Sequence, residues 1–360
     1  MTLAHTSFTI LGAGLLGRLL AVTLARQGHA VSLYDKGGPL AEHSAARVAG
    51  GMIAPLAESA VAEHGVVRMG RHSLTRWPEL IAPLSQPVFF QQEGTLLVWH
   101  RQDAPEATRM RQQFDATRAL VTELPAVQSL DAQGMAQIEP ALAARFAQGM
   151  YLPGEGQLDN RQLLAAQAHE LERLGVQLHW NTPRELADFG PDHPGWLLDC
   201  RGLGARGEWP QLRGVRGEVI RVHAPEVTLQ RPTRLLHPRY PAYIAPKEGN
   251  VFVIGATEIE SEDLSSASVR STLELLSAAY AVHPGFAEAR ILELSVQCRP
   301  ALADNLPAVR QLAPRTLQVN GMYRHGWMIA PALHDVVLQV LDGGASPLAQ
   351  QFDLAMELLK

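Results

Sequence analysis

The run Gly12-x-Gly14-x-x-Gly17 constrains this chain more than any other feature. It follows a short apolar stretch at 8–11. It opens a second stretch at 15–27, with Leu16, Leu19, Leu20, Thr23 and Leu24 on one face and Gly28 as its stop. A third stretch at 31–34 ends at Asp35. Strand, helix and strand in that order predict parallel pairing through a right-handed crossover. Each glycine then has a reason. Gly12 permits the tight turn, Gly14 lets backbone approach a pyrophosphate, and Gly17 lets helix and strand pack closely. The helix N-terminus offers free N–H groups and the positive end of its dipole to the phosphates. Asp35 stands where an acid accepts hydrogen bonds from ribose hydroxyls, and its charge repels a 2′-phosphate, which disfavours NADP. Ala13, Leu15, Leu16 and Lys36 are candidate contacts of the same loop. A chance glycine triplet would lack this order of elements. The motif by itself leaves FAD and NAD both open.

At 360 residues the chain exceeds what one hydrophobic core usually serves, so two domains are expected. A net charge of −5 argues against nucleic acid as a partner, since phosphate contacts need a clustered basic surface. Lysine occurs only as Lys36, Lys247 and Lys360. The two cysteines, Cys200 and Cys298, exclude a disulfide framework. With a polar start at 1–7 and no apolar run near the ~20 residues of a membrane span, a cytoplasmic location without membrane attachment is expected. No zinc spacing, Gly-x-Ser-x-Gly elbow or P-loop occurs, so no metal site is expected and hydrolase or kinase chemistry is disfavoured.

Further along, helices are expected near 61–80, 104–120, 131–144, 159–174 and 267–281, and one starting near Ala332. Strands are expected at 176–180, 196–200, 218–222, 243–245, 251–255, 291–296 and 317–320. The runs 88–90 and 95–99 flank Glu93-Gly94 and read as a hairpin. Signals of the parallel α/β type sit at both ends and near the middle, with a β-rich block interleaved. That predicts an α/β fold: a discontinuous Rossmann-like nucleotide domain (1–84, 146–214 and 298–360) with an inserted mixed-sheet substrate domain (85–145 and 215–297).

Several segments together resemble the FAD-dependent D-amino-acid-oxidase family, and within it the glycine oxidase branch of thiamine biosynthesis. They are Gly12–Gly17, Ala49-Gly50-Gly51-Met52-Ile53-Ala54-Pro55, Glu93-Gly94-Thr95-Leu96, Leu158-Asp159-Asn160, Val215-Arg216-Gly217-Glu218, Tyr243-Ile244-Ala245-Pro246, Ile254-Gly255-Ala256-Thr257, Arg299-Pro300 and Gly321-x-Tyr323-Arg324-His325-Gly326. They come in the family's order over nearly the whole chain. The resemblance implies a flavin lying between a Rossmann-like domain and a substrate domain with a large mixed sheet. It implies oxidation of an amine to an imine, with O₂ reoxidising the flavin to give H₂O₂. In the thiamine pathway the imine of glycine would feed thiazole assembly. A functional link to the thiazole synthase, and self-association into a homo-oligomer, stay open.

Arg299 matches the family's carboxylate-binding arginine, and its planar fork suits a substrate carboxylate. The bland alternative is a surface arginine in a salt bridge. Tyr243 matches the tyrosine that donates to the same carboxylate, against the alternative of a half-buried strand aromatic. Arg324 matches an arginine near flavin and substrate. The backbone of His325, Gly326, Trp327 and Met328 would face the flavin's pyrimidine end. Ala49, Gly50, Gly51 and Met52 match the segment packed on the flavin ring, Gly202 and Gly204 a further turn near FAD. Arg47 and Arg184 complete the candidate cofactor contacts. Glu258 departs from the pattern, because glycine oxidases carry an apolar residue there, often Met; a substrate contact or a solvent-facing carboxylate are both open. FAD is expected to be non-covalent, since the family's covalent link uses a cysteine elsewhere. The other readings are a D-amino-acid oxidase or dehydrogenase, a sarcosine-type N-methylamine oxidase, an NAD-linked dehydrogenase and a non-catalytic flavin-binding regulator.

Overall fold

Strand Ser7–Leu11 is buried at four of its five positions, so it needs neighbours on both edges and cover on both faces. In the computed structural model, which describes residues 6–190, 193–238 and 241–359, it has them. The first five residues of the polar start lie outside this range. Ser7–Leu11 pairs in parallel with Ala30–Tyr34 on one side and Trp196–Asp199 on the other. The complete sheet has seven strands, in the order Ala355–Glu357, Ala308–Ala313, Thr316–Asn320, Trp196–Asp199, Ser7–Leu11, Ala30–Tyr34 and Gln177–His179. Helix Leu15–Arg26 makes the first crossover. Its Leu16, Leu20 and Leu24 form an i, i+4 stripe of fully buried side chains, each contributing roughly 1.5–3 kcal/mol. Gly28, at φ +86°, ends the helical turn where a side chain would be strained.

A second sheet of eight strands runs Arg290–Ala301, Arg213–His223, Val251–Gly255, Ala242–Lys247, Thr233–Leu236, Thr95–Trp99, Gly149–Leu152 and Gln128–Leu130. It is antiparallel except for the pair Thr95–Trp99 and Thr233–Leu236. Helix Val269–Val282 covers it, placing Leu275, Ala278, Ala279 and Val282 in one core with Ile220, Phe252 and Ile254. This is the expected α/β architecture, a Rossmann-like sheet accompanied by a large mixed sheet.

Three local expectations are corrected. The runs on either side of Glu93-Gly94 are not a hairpin. Phe90–Gln91 pairs with Gly156–Leu158 in a small third sheet, whereas Thr95–Trp99 joins the eight-stranded one. Gly94, at φ +78°, donates its N–H to the Glu155 carbonyl at 2.9 Å, so the turn hands the chain from one sheet to the other. The helix expected near 131–144 stops at Ile138 and a short 3₁₀ turn, Pro140–Leu142, follows. The helix expected from Ala332 begins six residues earlier, as Gly326–Gly343, with Pro331 inside it. Pro331 has no N–H for the Trp327 carbonyl, four residues back. The Trp77 indole N–H donates to that carbonyl instead, at 2.9 Å, so a tertiary bond satisfies the group the proline frees.

Candidate active site

Elements of both large sheets enclose a cavity of about 1120 Å³. Gly12, Ala13, Gly14, Leu15, Leu16, Asp35, Lys36, Arg184, Gly202 and Gly204 line it near the Rossmann-like sheet. Ala49, Gly50, Gly51 and Met52 follow, together with Tyr243, Glu258, Arg299 and the turn from Arg324 through Met328. Gly17 and Arg47 are not on the wall. Gly17 works behind it, where a Cβ would stand 1.9 Å from the Gly12 carbonyl oxygen. Arg47 donates to the Leu40 carbonyl at 3.0 Å.

The glycine loop is built for an absent side chain and an arriving anion. A Cβ on Gly12 would meet the Cys200 carbonyl at 2.6 Å, and the residue sits at φ +94°. A Cβ on Gly14 would meet only Ser44 Oγ, at 3.4 Å, so nothing in the protein itself demands glycine there. Gly14 caps helix Leu15–Arg26 without a side-chain hydrogen bond. His325 likewise caps helix Gly326–Gly343 without one. Two uncapped helix N-termini thus open onto one cavity, each offering unspent N–H groups and the positive end of a dipole. That donor set, with the glycine at Gly14, fits a dinucleotide: the first helix would hold a pyrophosphate and the second an electron-rich ring. Asp35 spends part of its capacity on the loop, accepting from the N–H of Ala13 at 2.6 Å and of Gly37 at 2.7 Å.

Arg299 lies on the edge strand of the large sheet, paired opposite Val215. Its guanidinium folds back over Gly217, where a Cβ would stand 2.4 Å from Nη2. Nη2–H donates to the Thr257 carbonyl at 3.0 Å and Nη1–H to the Arg216 carbonyl at 3.4 Å. No carboxylate of the described residues lies within 4 Å of it, although burial lowers its pKa and so disfavours its charge. An arginine recessed in a cavity wall with only neutral partners is a ready receptor for an anion. Tyr243 stands in a slot that two glycines leave open: a Cβ on Gly50 or on Gly255 would come within 2.6 Å of its ring or hydroxyl. Burial pushes its phenol up, so it stays a donor at neutral pH.

Arg324 is placed differently. Its Nη1–H donates to Glu258 at 2.6 Å, and its Nε lies 3.2 Å from Glu58. Arg234 also pairs with Glu58. Burial favours the protonated form of Glu58, but Arg324 and Arg234 outweigh it and hold the carboxyl well below its usual range. Burial pushes the neighbouring His325 down to about 4, so its imidazole is neutral at physiological pH. Glu58 and Arg234 carry no sequence motif. Arg18, inside the glycine-motif helix, is fully buried. Arg18 donates to the carbonyls of Ala13 at 2.7 Å, Leu164 at 2.6 Å and Pro39 at 2.9 Å, bracing the loop from behind. Its signal in the sequence is a charged residue inside an apolar helical stretch.

Residues 7–337 match the family described as FAD dependent oxidoreductase, DAO. A Rhizobium etli protein named as a thiamine biosynthesis oxidoreductase, ThiO, is 41% identical over 322 residues, covering 89% of this chain and 92% of that protein. The glycine oxidase of Geobacillus kaustophilus is 26% identical over 348 residues, covering 89% of each. The crystal structure of glycine oxidase from that organism superposes with a TM-score of 0.81 over 99% of both chains at 23% identity, a shared fold. With a family match spanning nearly the whole chain, and a glycine loop and paired helix N-termini suited to the cofactor, the chain belongs to the DAO family of FAD dependent oxidoreductases.

Proposed function

We propose that the protein oxidises the α-amine of a small amino acid, glycine first, to the imine, and that O₂ receives the electrons as H₂O₂. The observation that carries this reading is Arg299, a cavity-wall guanidinium with two carbonyl partners and no carboxylate, set in the same cavity as the Tyr243 phenol. The two together match the carboxylate of an amino acid, which has two planar acceptor oxygens. FAD, when bound, would supply the acceptor for the two electrons and one hydrogen that leave the substrate's Cα–H bond as the amine lone pair turns C–N into C=N.

The protein's own work is positioning and charge. Arg299 and Tyr243 fix the carboxylate and so the direction in which the α-carbon points. Gly12, Gly14 and the N-terminus of helix Leu15–Arg26 would hold the pyrophosphate, and Asp35 would accept from the ribose. The N–H groups at the start of helix Gly326–Gly343 would stabilise negative charge on the ring system. No protein acid or base is required if the amine enters neutral. On this reading residues 1–84, 146–214 and 298–360 serve FAD, and 85–145 and 215–297 serve the substrate. The names of the Rhizobium and Geobacillus relatives favour glycine and a place in thiamine biosynthesis. No helix among the described residues is long and apolar enough to cross a membrane.

An oxygen electrode with peroxide read in parallel tests the proposal on glycine, sarcosine, D-alanine and D-proline. Uptake on glycine with one peroxide per O₂ is expected. Silence on all four from protein that holds FAD would overturn it.

A further inference from the structure

Two arginines face the same cavity, and the protein treats them oppositely. Arg299 meets only carbonyls, whereas Arg324 is held between two carboxylates. One of these, Glu58, is needed inside the wall: its side chain is 13% exposed and it also pairs with Arg234. The other, Glu258, is 45% exposed, follows strand Val251–Gly255, and reaches across to Arg324 from the large sheet. Tyr323 also bonds to it. Removing Glu258 would therefore disturb little packing, yet it would uncover a cation.

The charge count at this end of the cavity is simple. Arg234 and Arg324 are offset by Glu58 and Glu258, the His325 imidazole is neutral, and Arg299 remains. The net charge is one positive, which suits one carboxylate. We infer that Glu258 is a specificity-determining residue: it screens Arg324, so the site takes amines that carry a single carboxylate and rejects those that carry two. A second carboxylate can gain Arg324 only by displacing Glu258, and until then it faces a like charge. With Glu258 replaced by a neutral residue the same cavity carries two receptors for anions. The inference rests on the amino-acid oxidase reading for its biological meaning, but the charge selection can be measured without turnover.

The test is calorimetric titration of the FAD-loaded protein with two unreactive anions. Glycolate has one carboxylate. Diglycolate has two, flanking an ether oxygen where a secondary amine would stand. Wild type should bind diglycolate at least about tenfold more weakly than glycolate. In Glu258→Gln the gap should close or reverse, diglycolate gaining at least about tenfold more than glycolate, while the isosteric amide keeps an acceptor for Tyr323. The double variant Glu258→Gln, Arg324→Gln should lose the gain. Equal binding of both anions by wild type, an unchanged ratio in the single variant, or a gain that survives in the double variant would each overturn the inference. The wild-type ratio decides alone if the variants fail to hold FAD. Turnover of glycine and iminodiacetate, measured alongside, separates the two ideas. The expected anion ratios with no amine oxidised would sink the proposed reaction and leave the charge selection standing. Glycine oxidation with unchanged ratios would do the reverse.

Discussion

The two ends of the cavity are made of different material. At the end next to the Rossmann-like sheet the wall is chiefly backbone, with Gly12, Gly14 and the open N-terminus of helix Leu15–Arg26; Asp35 on the wall accepts from the Ala13 N–H, and Arg18 behind it donates to the Ala13 carbonyl. At the other end the wall is side chain: Glu58, Arg234, Tyr243, Glu258, Arg299 and Arg324, drawn from separate stretches of the sequence. Backbone recognition needs shape, so its signature is a missing Cβ. Side-chain recognition needs charge in balance, so its signature is which partner each cation has found. The first can be broken by one methyl group, the second by one proton or one amide.

The largest effect is expected from Gly17→Ala. The new methyl would stand 1.9 Å from the Gly12 carbonyl, and the overlap should cost more than about 3 kcal/mol. The variant should purify colourless and melt early; retained flavin and an unchanged Tm would refute the close-packing account. Next is Arg299→Ala. Losing a desolvated charge partner of about 3–4 kcal/mol should lower kcat/KM for glycine on the order of 10²–10³-fold, while flavin absorbance and Tm hold. If flavin were lost as well, the two ends would not be separable.

A third prediction uses the two carboxyls at either end of the short helix Pro55–Glu58. Arginines keep Glu58 ionised, but burial raises Glu155 from 4.5 to about 7 while it accepts the N–H groups of Leu56 and Ala57 at 2.8 Å. Its folded pKa lies above the unfolded one. The stability it contributes is therefore complete at acid pH and is lost as pH rises through about 7. The loss is on the order of 3 kcal/mol. Glu155→Gln, which keeps the acceptor, should be more stable than wild type at pH 8 and differ least near pH 5; parallel pH profiles of Tm would contradict this. The smallest effect on the fold is expected from Gly14→Ala, whose nearest neighbour would be Ser44 Oγ at 3.4 Å. Its Tm should shift by no more than about 1 kcal/mol's worth, while FAD affinity falls about tenfold. Unchanged FAD affinity would mean that no ligand backs onto Gly14.

Legibility followed the same divide. The strand, turn, helix and acid of residues 8–35 were readable because their contacts are local and each residue type answers a local need. Arg299, Tyr243 and Arg324 could be singled out only through resemblance, and the resemblance did not say that Arg324 is occupied by Glu58 and Glu258. Glu58 and Arg234 had no signal at all, since a carboxylate in a four-residue helix and an arginine in a strand are ordinary until they meet. The misread hairpin at Glu93-Gly94 and the early start of helix Gly326–Gly343 have one cause: distant groups, the Glu155 carbonyl and the Trp77 indole, complete bonds that local pattern leaves open.

By itself the amino-acid sequence determined the βαβ unit, the dinucleotide loop and the alternation of two sheet types, because periodicity and missing side chains act over a few residues. Tertiary structure alone decided which cation at the far end is free and which is screened, because Coulomb interactions depend on distances that only the packed sheets bring within a few ångströms.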